Sequence, residues 1–149
     1  MANLVILLDS TPLGLVTHPK PGPQSLACKR WLQAHIQRGS QIIVPEIVDY
    51  ELRRELLRAN RQRGLANLEI LIQRVRYLPL TTAAMRQAAQ FWAQARQQGQ
   101  PTAADSAIDG DVILAAQAAS LSEVNVIVAT DNVKHLSRFV PADLWRNIS

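Results

Sequence analysis

The chain predicts an α/β protein, a three-layer α/β/α arrangement around a central parallel sheet of four or five strands. Three observations lead there. Four short runs rich in Val, Ile and Leu recur along the sequence, and three of them lack the alternation of a half-exposed strand. Amphipathic segments long enough to cross over a sheet separate them. The 149 residues suit one domain, spanning residues 1–149.

The first run, NLVILLD from Asn3 to Asp9, ends in an acid and leads to a loop at His18 to Pro23, where HPKPGP packs three prolines and a glycine into six residues. A helix over Ser25 to Arg38 follows, stopped by Gly39, and QIIVP from Gln41 to Pro45 is the second strand. Glu46 to Arg63 reads as a helix, with a turn-separated piece reaching Gln73 and Gly64 as punctuation. VRYLPL, Val75 to Leu80, is the third strand. The helix over Thr81 to Gln98, closed by Gly99, places Met85, Ala88, Ala89 and Trp92 at helical spacing and predicts that they face the core. A last helix from Asp109 to Leu121 precedes the fourth strand, NVIVATD, Asn125 to Asp131.

At 48% hydrophobic and 19% charged residues, the composition is that of a folded protein and excludes disorder as the main theme. The single cysteine excludes a disulfide framework; Cys28, in LACKRWL, reads as a packed thiol, and Trp31 and Trp145 as core residues. The early apolar run Leu4 to Leu8 is far shorter than the ~20 residues that a bilayer span needs, so the expectation is a chain of the reduced cytoplasm with no membrane anchor or signal peptide. The three histidines, at 18, 35 and 135, are scattered, which gives a zinc site little support. Neither GxxxxGK[ST] nor GxGxxG occurs, so the phosphate cradles of nucleotide hydrolysis and dinucleotide binding are missing.

In an open parallel sheet, ligands bind beyond the carboxyl ends of the strands. Asp9 stands at such an end, followed by Ser10 and Thr11, and can serve either as a helix cap or as a ligand. Asp131, flanked by Thr130 and Asn132, ends the fourth strand in the same way, and a topological switch would set the first and fourth strands side by side. Glu51 lies one turn past the buried Ile47 and Val48, on a helix face shared with residues 54, 58 and 61, so a pair with Arg54 is its alternative role. Glu46 and Asp49 suit the first helical turn as dipole-complementing acids, and Glu55 suits a solvated face. Asp111 heads a core-facing line in DGDVILAAQA, with Asp109 as the competing choice between cap and ligand and Asp105 in a loop at the rim.

Gathering Asp9, Glu51, Asp111 and Asp131 would be costly, because each raises the pKa of the others, unless hard cations such as Mg²⁺ or Mn²⁺ neutralise them. Setting those four aside leaves 8 acids against 16 Lys and Arg, so the net charge of +4 understates a basic exterior suited to a polyanion. Arginines concentrate at positions 53, 54, 58, 61, 63, 74 and 76, and Arg54 and Arg58 are the candidates for phosphate contact.

Taken together, VILLDS, IVPEIVDYELRREL, DGDVILAAQA and VIVATDNVKHL resemble the PIN domain, the fold of VapC-type toxin ribonucleases, over Asn3 to about Phe139. The resemblance implies a metal-dependent endoribonuclease that hydrolyses RNA phosphodiester bonds with Mg²⁺ or Mn²⁺. It places the family's acids on Asp9, Glu51 and Asp111. The fourth motif usually reads Thr, any residue, then Asp or Asn, which puts Thr130 and Asn132 on the pattern and Asp131 at its variable place; Asp131 is retained as the fourth ligand, with Ser10, Thr130 and Asn132 in support. The resemblance further implies an antitoxin partner and a homodimer. The alternative is a PIN-like module that binds RNA or protein without cleaving. A receiver-like phosphorylation domain fits poorly, because neither QIIVP nor VRYLPL closes in the acid that it would need.

Overall fold

A computed structural model describes residues 3–20, 22–98 and 105–149, the last range with backbone alone for 105–108. Strands β1 (Val5–Leu8), β2 (Gln41–Pro45), β3 (Arg76–Leu78), β4 (Val126–Ala129) and β5 (Ala142–Asp143) form one five-stranded, all-parallel sheet in the order β3-β2-β1-β4-β5. Helices cover both faces, which makes the three layers that the sequence predicts. Every side chain of β1 is buried, as its unbroken apolar run requires. The chain builds outward from β1 to β2 and β3, then returns to place β4 on the other flank of β1, with Val5 to Leu8 in register with Val126 to Ala129. That reversal opens a crevice at the carboxyl ends of β1 and β4.

The helices are α1 (Ser10–Thr17), α2 (Pro23–Gln37), α3 (Glu46–Arg58), α4 (Gln62–Arg74), α5 (Thr82–Gln97), α6 (Asp105–Ala119) and α7 (Val133–Leu136), with a final 3₁₀ turn at Trp145–Asn147. The sequence predicts only a loop between β1 and α2, and the structure has helix α1 there. Its eight residues, STPLGLVT, carry little helical periodicity, but Pro12 falls in the first turn, where no N–H donor is needed, and the Thr17 hydroxyl closes the end by donating to the Leu13 carbonyl at 2.8 Å. The HPKPGP loop joins α1 to α2 instead.

The helix expected to run to Arg63 stops at Arg58. Asn60, at φ +53°, reverses the chain between α3 and α4. Gly64 therefore lies inside α4 and stops no helix; it is buried, and a Cβ there would stand 2.9 Å from Leu56 Cδ2, so it lets α4 fold tightly back on α3. Gly39 fulfils its expected role, ending α2 at φ +87°. Gly99 lies outside the described residues.

Helix α6 starts at Asp105, earlier than Asp109. Asp109 is consequently an exposed helical residue and no cap, Asp105 is helical rather than part of a loop, and Asp111 occupies the helix interior. The α5–α6 contact is made by small side chains, Ala84, Ala88 and Ala95 against Val112 and Ala116. Only Ala88 of the predicted α5 stripe belongs to it. Ala89 is exposed, and Met85 and Trp92 are 45% and 38% exposed, because the alanine row one step round the helix brings α6 close and leaves the larger residues at the rim. Cys28 is buried, and Trp31 and Trp145 pack together at 5.8 Å between ring centroids. No described helix is long and apolar enough to cross a membrane.

Candidate functional site

At the crevice, Asp9 leaves β1 and immediately caps α1: its Oδ1 accepts from the Ser10 N–H at 2.7 Å, while its carbonyl accepts the helix's first bond from Leu13. The second carboxylate oxygen, Oδ2, accepts from the Thr130 hydroxyl at 2.6 Å, across the junction of β1 and β4. Thr130 is fully buried, and its oxygen in turn accepts from the Asn132 N–H at 2.8 Å. The Asn132 side-chain amide donates to Asp111 Oδ2 at 2.7 Å. Asp9, Thr130, Asn132 and Asp111 thus form one continuous chain of hydrogen bonds that links β1, the β4 exit and α6.

Glu51 reaches the same place from α3. Its carboxylate lies against the backbone of α6 at Gly110, next to Asp111. Asp9, Ser10, Thr11, Glu51, Asp111, Asp131 and Asn132 line an open cleft of about 290 Å³. All four acids expected at the site therefore meet there, together with Ser10 and Asn132; Thr130 holds the floor from below. Asp131 is exposed at the cleft's edge, and Asn132 makes the bond to Asp111.

The electrostatics follow from burial and like charge. Desolvation raises the pKa of Asp9, against the bonds from Thr130 and Ser10, with nearby Asp131 adding to the rise. Glu51 is raised by burial and by Asp9, with Arg54 opposing from outside the cleft. Asp111 is pushed up to about 7, first by burial, then by Asp9 and Glu51. Three carboxyls with raised pKa values, in a cleft lined by carboxylates, hydroxyls and one amide, suit a hard divalent cation. Among the described residues, no three His, Cys, Asp or Glu side chains stand close enough together to cage an ion.

Arg54 and Arg58 do not line this cleft. Arg54 is exposed over the Tyr50 ring, 5.1 Å from its centroid, and Arg58 is paired with Glu55 at 2.8 Å. Arg61 is no longer on their helix face, since α3 has ended. Ser10 and Thr11 also open onto a larger groove of about 560 Å³, walled by Leu15, Leu52 and Leu56 with Lys20 and Arg61 among its lining.

Three further residues, Gln117, Asp49 and Glu46, tie together the elements around the site. Gln117, buried on α6, accepts from the Ile47 N–H at 3.2 Å and donates to the Leu78 carbonyl at 2.8 Å, and so ties the helix of Asp111 to the start of the helix of Glu51. Asp49 goes beyond dipole compensation: buried, it accepts from the Tyr77 hydroxyl at 2.7 Å and from Arg53 at 3.0 Å, and Arg53 also pairs with Glu69. Glu46 likewise accepts from the Leu80 N–H at 2.7 Å. An amphipathic reading cannot separate such interior polar ties from ordinary surface residues; the one available hint was a glutamine inside an otherwise apolar stripe, LAAQAAS.

Comparison with curated proteins finds no match. Among solved structures, the chain is similar to VapBC-1 of nontypeable Haemophilus influenzae (18% identity, TM-score 0.71, covering 97% of this chain and 100% of that one). It is also similar to the DNA-bound VapBC of Salmonella typhimurium (22%, TM-score 0.67, 95% and 98%) and to VapBC2 of Rickettsia felis bound to a promoter fragment (14%, TM-score 0.70, 95% and 99%). At these identities the likeness establishes the fold. The family model described as the PIN domain matches residues 6–138, which take in β2, β3, β4, all of β1 but Val5 and every acid of the cleft, and on that match the chain belongs to the PIN domain family.

Proposed function

We propose that this protein is a divalent-cation-dependent endoribonuclease that hydrolyses RNA phosphodiester bonds, and that it serves as the toxin of a toxin–antitoxin pair. The observation that carries the first part is the convergence of Asp9, Glu51 and Asp111, from β1, α3 and α6, on one oxygen-lined cleft with raised carboxyl pKa values. These three carboxylates, with Asp131 at the edge, are the groups that would hold Mg²⁺ or Mn²⁺; the bound cation would supply an acidified water as nucleophile and neutralise charge on the leaving oxygen. Thr130 and Ser10 fix both oxygens of Asp9, and Asn132 fixes Asp111, so two of the three ligands are oriented before any cation arrives. The cleft is open, so a phosphodiester can enter it from solvent. Arg54 and Arg58 lie on the surface of α3 beyond the cleft, where they can contact phosphates away from the cut.

The toxin reading draws on the fold shared with VapBC proteins and on the apolar groove that continues from the cleft at Ser10 and Thr11, which offers a partner's segment a route to the acids. An antitoxin partner, a homodimer and a cytoplasmic setting belong to the same proposal. The decisive experiment treats the protein with EDTA, then adds Mn²⁺ or Mg²⁺ and follows cleavage of a mixed RNA substrate. Cation-restored cutting that Asp9→Asn abolishes in a folded protein supports the nuclease; RNA binding without cation-dependent cutting overturns it in favour of a non-catalytic binding module.

A further inference from the structure

Gly110 sits in the interior of α6, where glycine weakens a helix relative to alanine. Backbone conformation does not demand it: among the described residues, Gly39 is the glycine at positive φ, and Gly110 is not. Space does. A Cβ on Gly110 would stand 2.5 Å from Glu51 Oε2, 3.2 Å from its Cδ and 3.5 Å from Oε1, so all three of its nearest neighbours belong to that one carboxylate.

We propose that Gly110 is a positioning residue for the acidic cleft: the bare backbone on that face of α6 lets the Glu51 carboxylate settle beside Asp111, where both can act on one divalent cation. This rests on the cation reading of the cleft. The atom in the way is the end of a flexible side chain, so an added methyl group turns Glu51 aside and leaves the fold intact. The missing methyl group therefore sets where a ligand from another helix comes to rest.

The test uses the full chain in two states. In the metal-free wild-type protein, NMR should detect an NOE between the Glu51 Hγ and Gly110 Hα protons, and its absence overturns the placement whatever the cation does. Calorimetric titration with Mn²⁺ then compares three proteins. Gly110→Ala should melt no lower than wild type yet bind Mn²⁺ about tenfold more weakly. Adding Glu51→Asp, whose shorter side chain clears the methyl group, should recover part of that loss, although Glu51→Asp alone weakens binding. Equal Mn²⁺ affinity in Gly110→Ala and wild type refutes the positioning role, as does a double variant no better than Gly110→Ala. A wild-type protein that shows the NOE but binds no Mn²⁺ refutes the cation reading, and the role built on it, while leaving the contact itself established.

Discussion

Replacing Asp111 by asparagine isolates the cost of assembling the acidic cleft. Asp111 has its pKa pushed up to about 7 from an ordinary 3.8, by burial and by Asp9 and Glu51. Because the folded value lies above the unfolded one, the folded protein is penalised for ionising this group. Below about pH 4 both states hold the proton and no penalty exists; it builds between pH 4 and 7 and is complete above 7. The rise from 3.8 to about 7 corresponds to about 4 kcal/mol at full strength, and water in the open cleft screens it to about 2 kcal/mol. Asparagine keeps an oxygen for the Asn132 amide and cannot ionise. In EDTA, therefore, Asp111→Asn should match wild type near pH 4 and exceed it by about 2 kcal/mol at pH 8, a rise in melting temperature of roughly 4–8 °C. Urea denaturation at pH 4, 6 and 8 measures it, and Mn²⁺ at pH 8 should stabilise wild type but not the variant. A difference that stays constant with pH, or a variant less stable at pH 8, would refute the claim that these carboxyls repel one another in one cleft.

Gln117→Met should cost about 1–3 kcal/mol by chemical denaturation, because the buried Ile47 N–H and the half-buried Leu78 carbonyl both lose their partner; a loss under about 0.5 kcal/mol would disprove the tie. Burial pushes the Cys28 thiol up to about 12, so an aromatic disulfide reagent at pH 8 should label the folded protein at a small fraction of the rate seen in urea, and equal rates would show the thiol to be accessible. Arg54→Gln with Arg58→Gln should weaken RNA binding by an amount that shrinks as salt rises, lowering the salt slope by about one to two; an unchanged slope removes both from the phosphate contacts.

Much of this arrangement is legible in the sequence because it depends on continuous apolar runs. NLVILLD and NVIVATD announce buried parallel strands, each ends in an acid, and their adjacency in the sheet is what brings Asp9 and the Thr130–Asn132 segment together. Glu51 and Asp111 are recognisable as carboxylates on core-facing helical positions. What escapes is set by contacts between distant segments. Helix α1 depends on the Asp9 cap and on the packing of Leu13 rather than on periodicity, and the early start of α6 turns Asp111 from a helix head into an interior residue. Whether Met85 and Trp92 or the alanines of α5 face inward is decided by how closely α6 approaches, which no pattern within α5 encodes. The direction of the Asn132 amide toward Asp111, with Asp131 exposed at the edge of the same cleft, depends on the turn after β4, which no pattern within the strand encodes.

The bond from Thr130 to Asp9 spans 121 positions of the chain and joins the first strand to the fourth. During synthesis, everything up to α5 can emerge and pack while one flank of β1 still has no neighbour and Asp9 lacks the hydroxyl that orients it. Only when the segment through Asn132 slots in beside β1 do the pieces lock. A nascent polypeptide that has not yet released this segment would thus hold an unfinished acidic crevice, with one oxygen of Asp9 unheld until the fourth strand arrives.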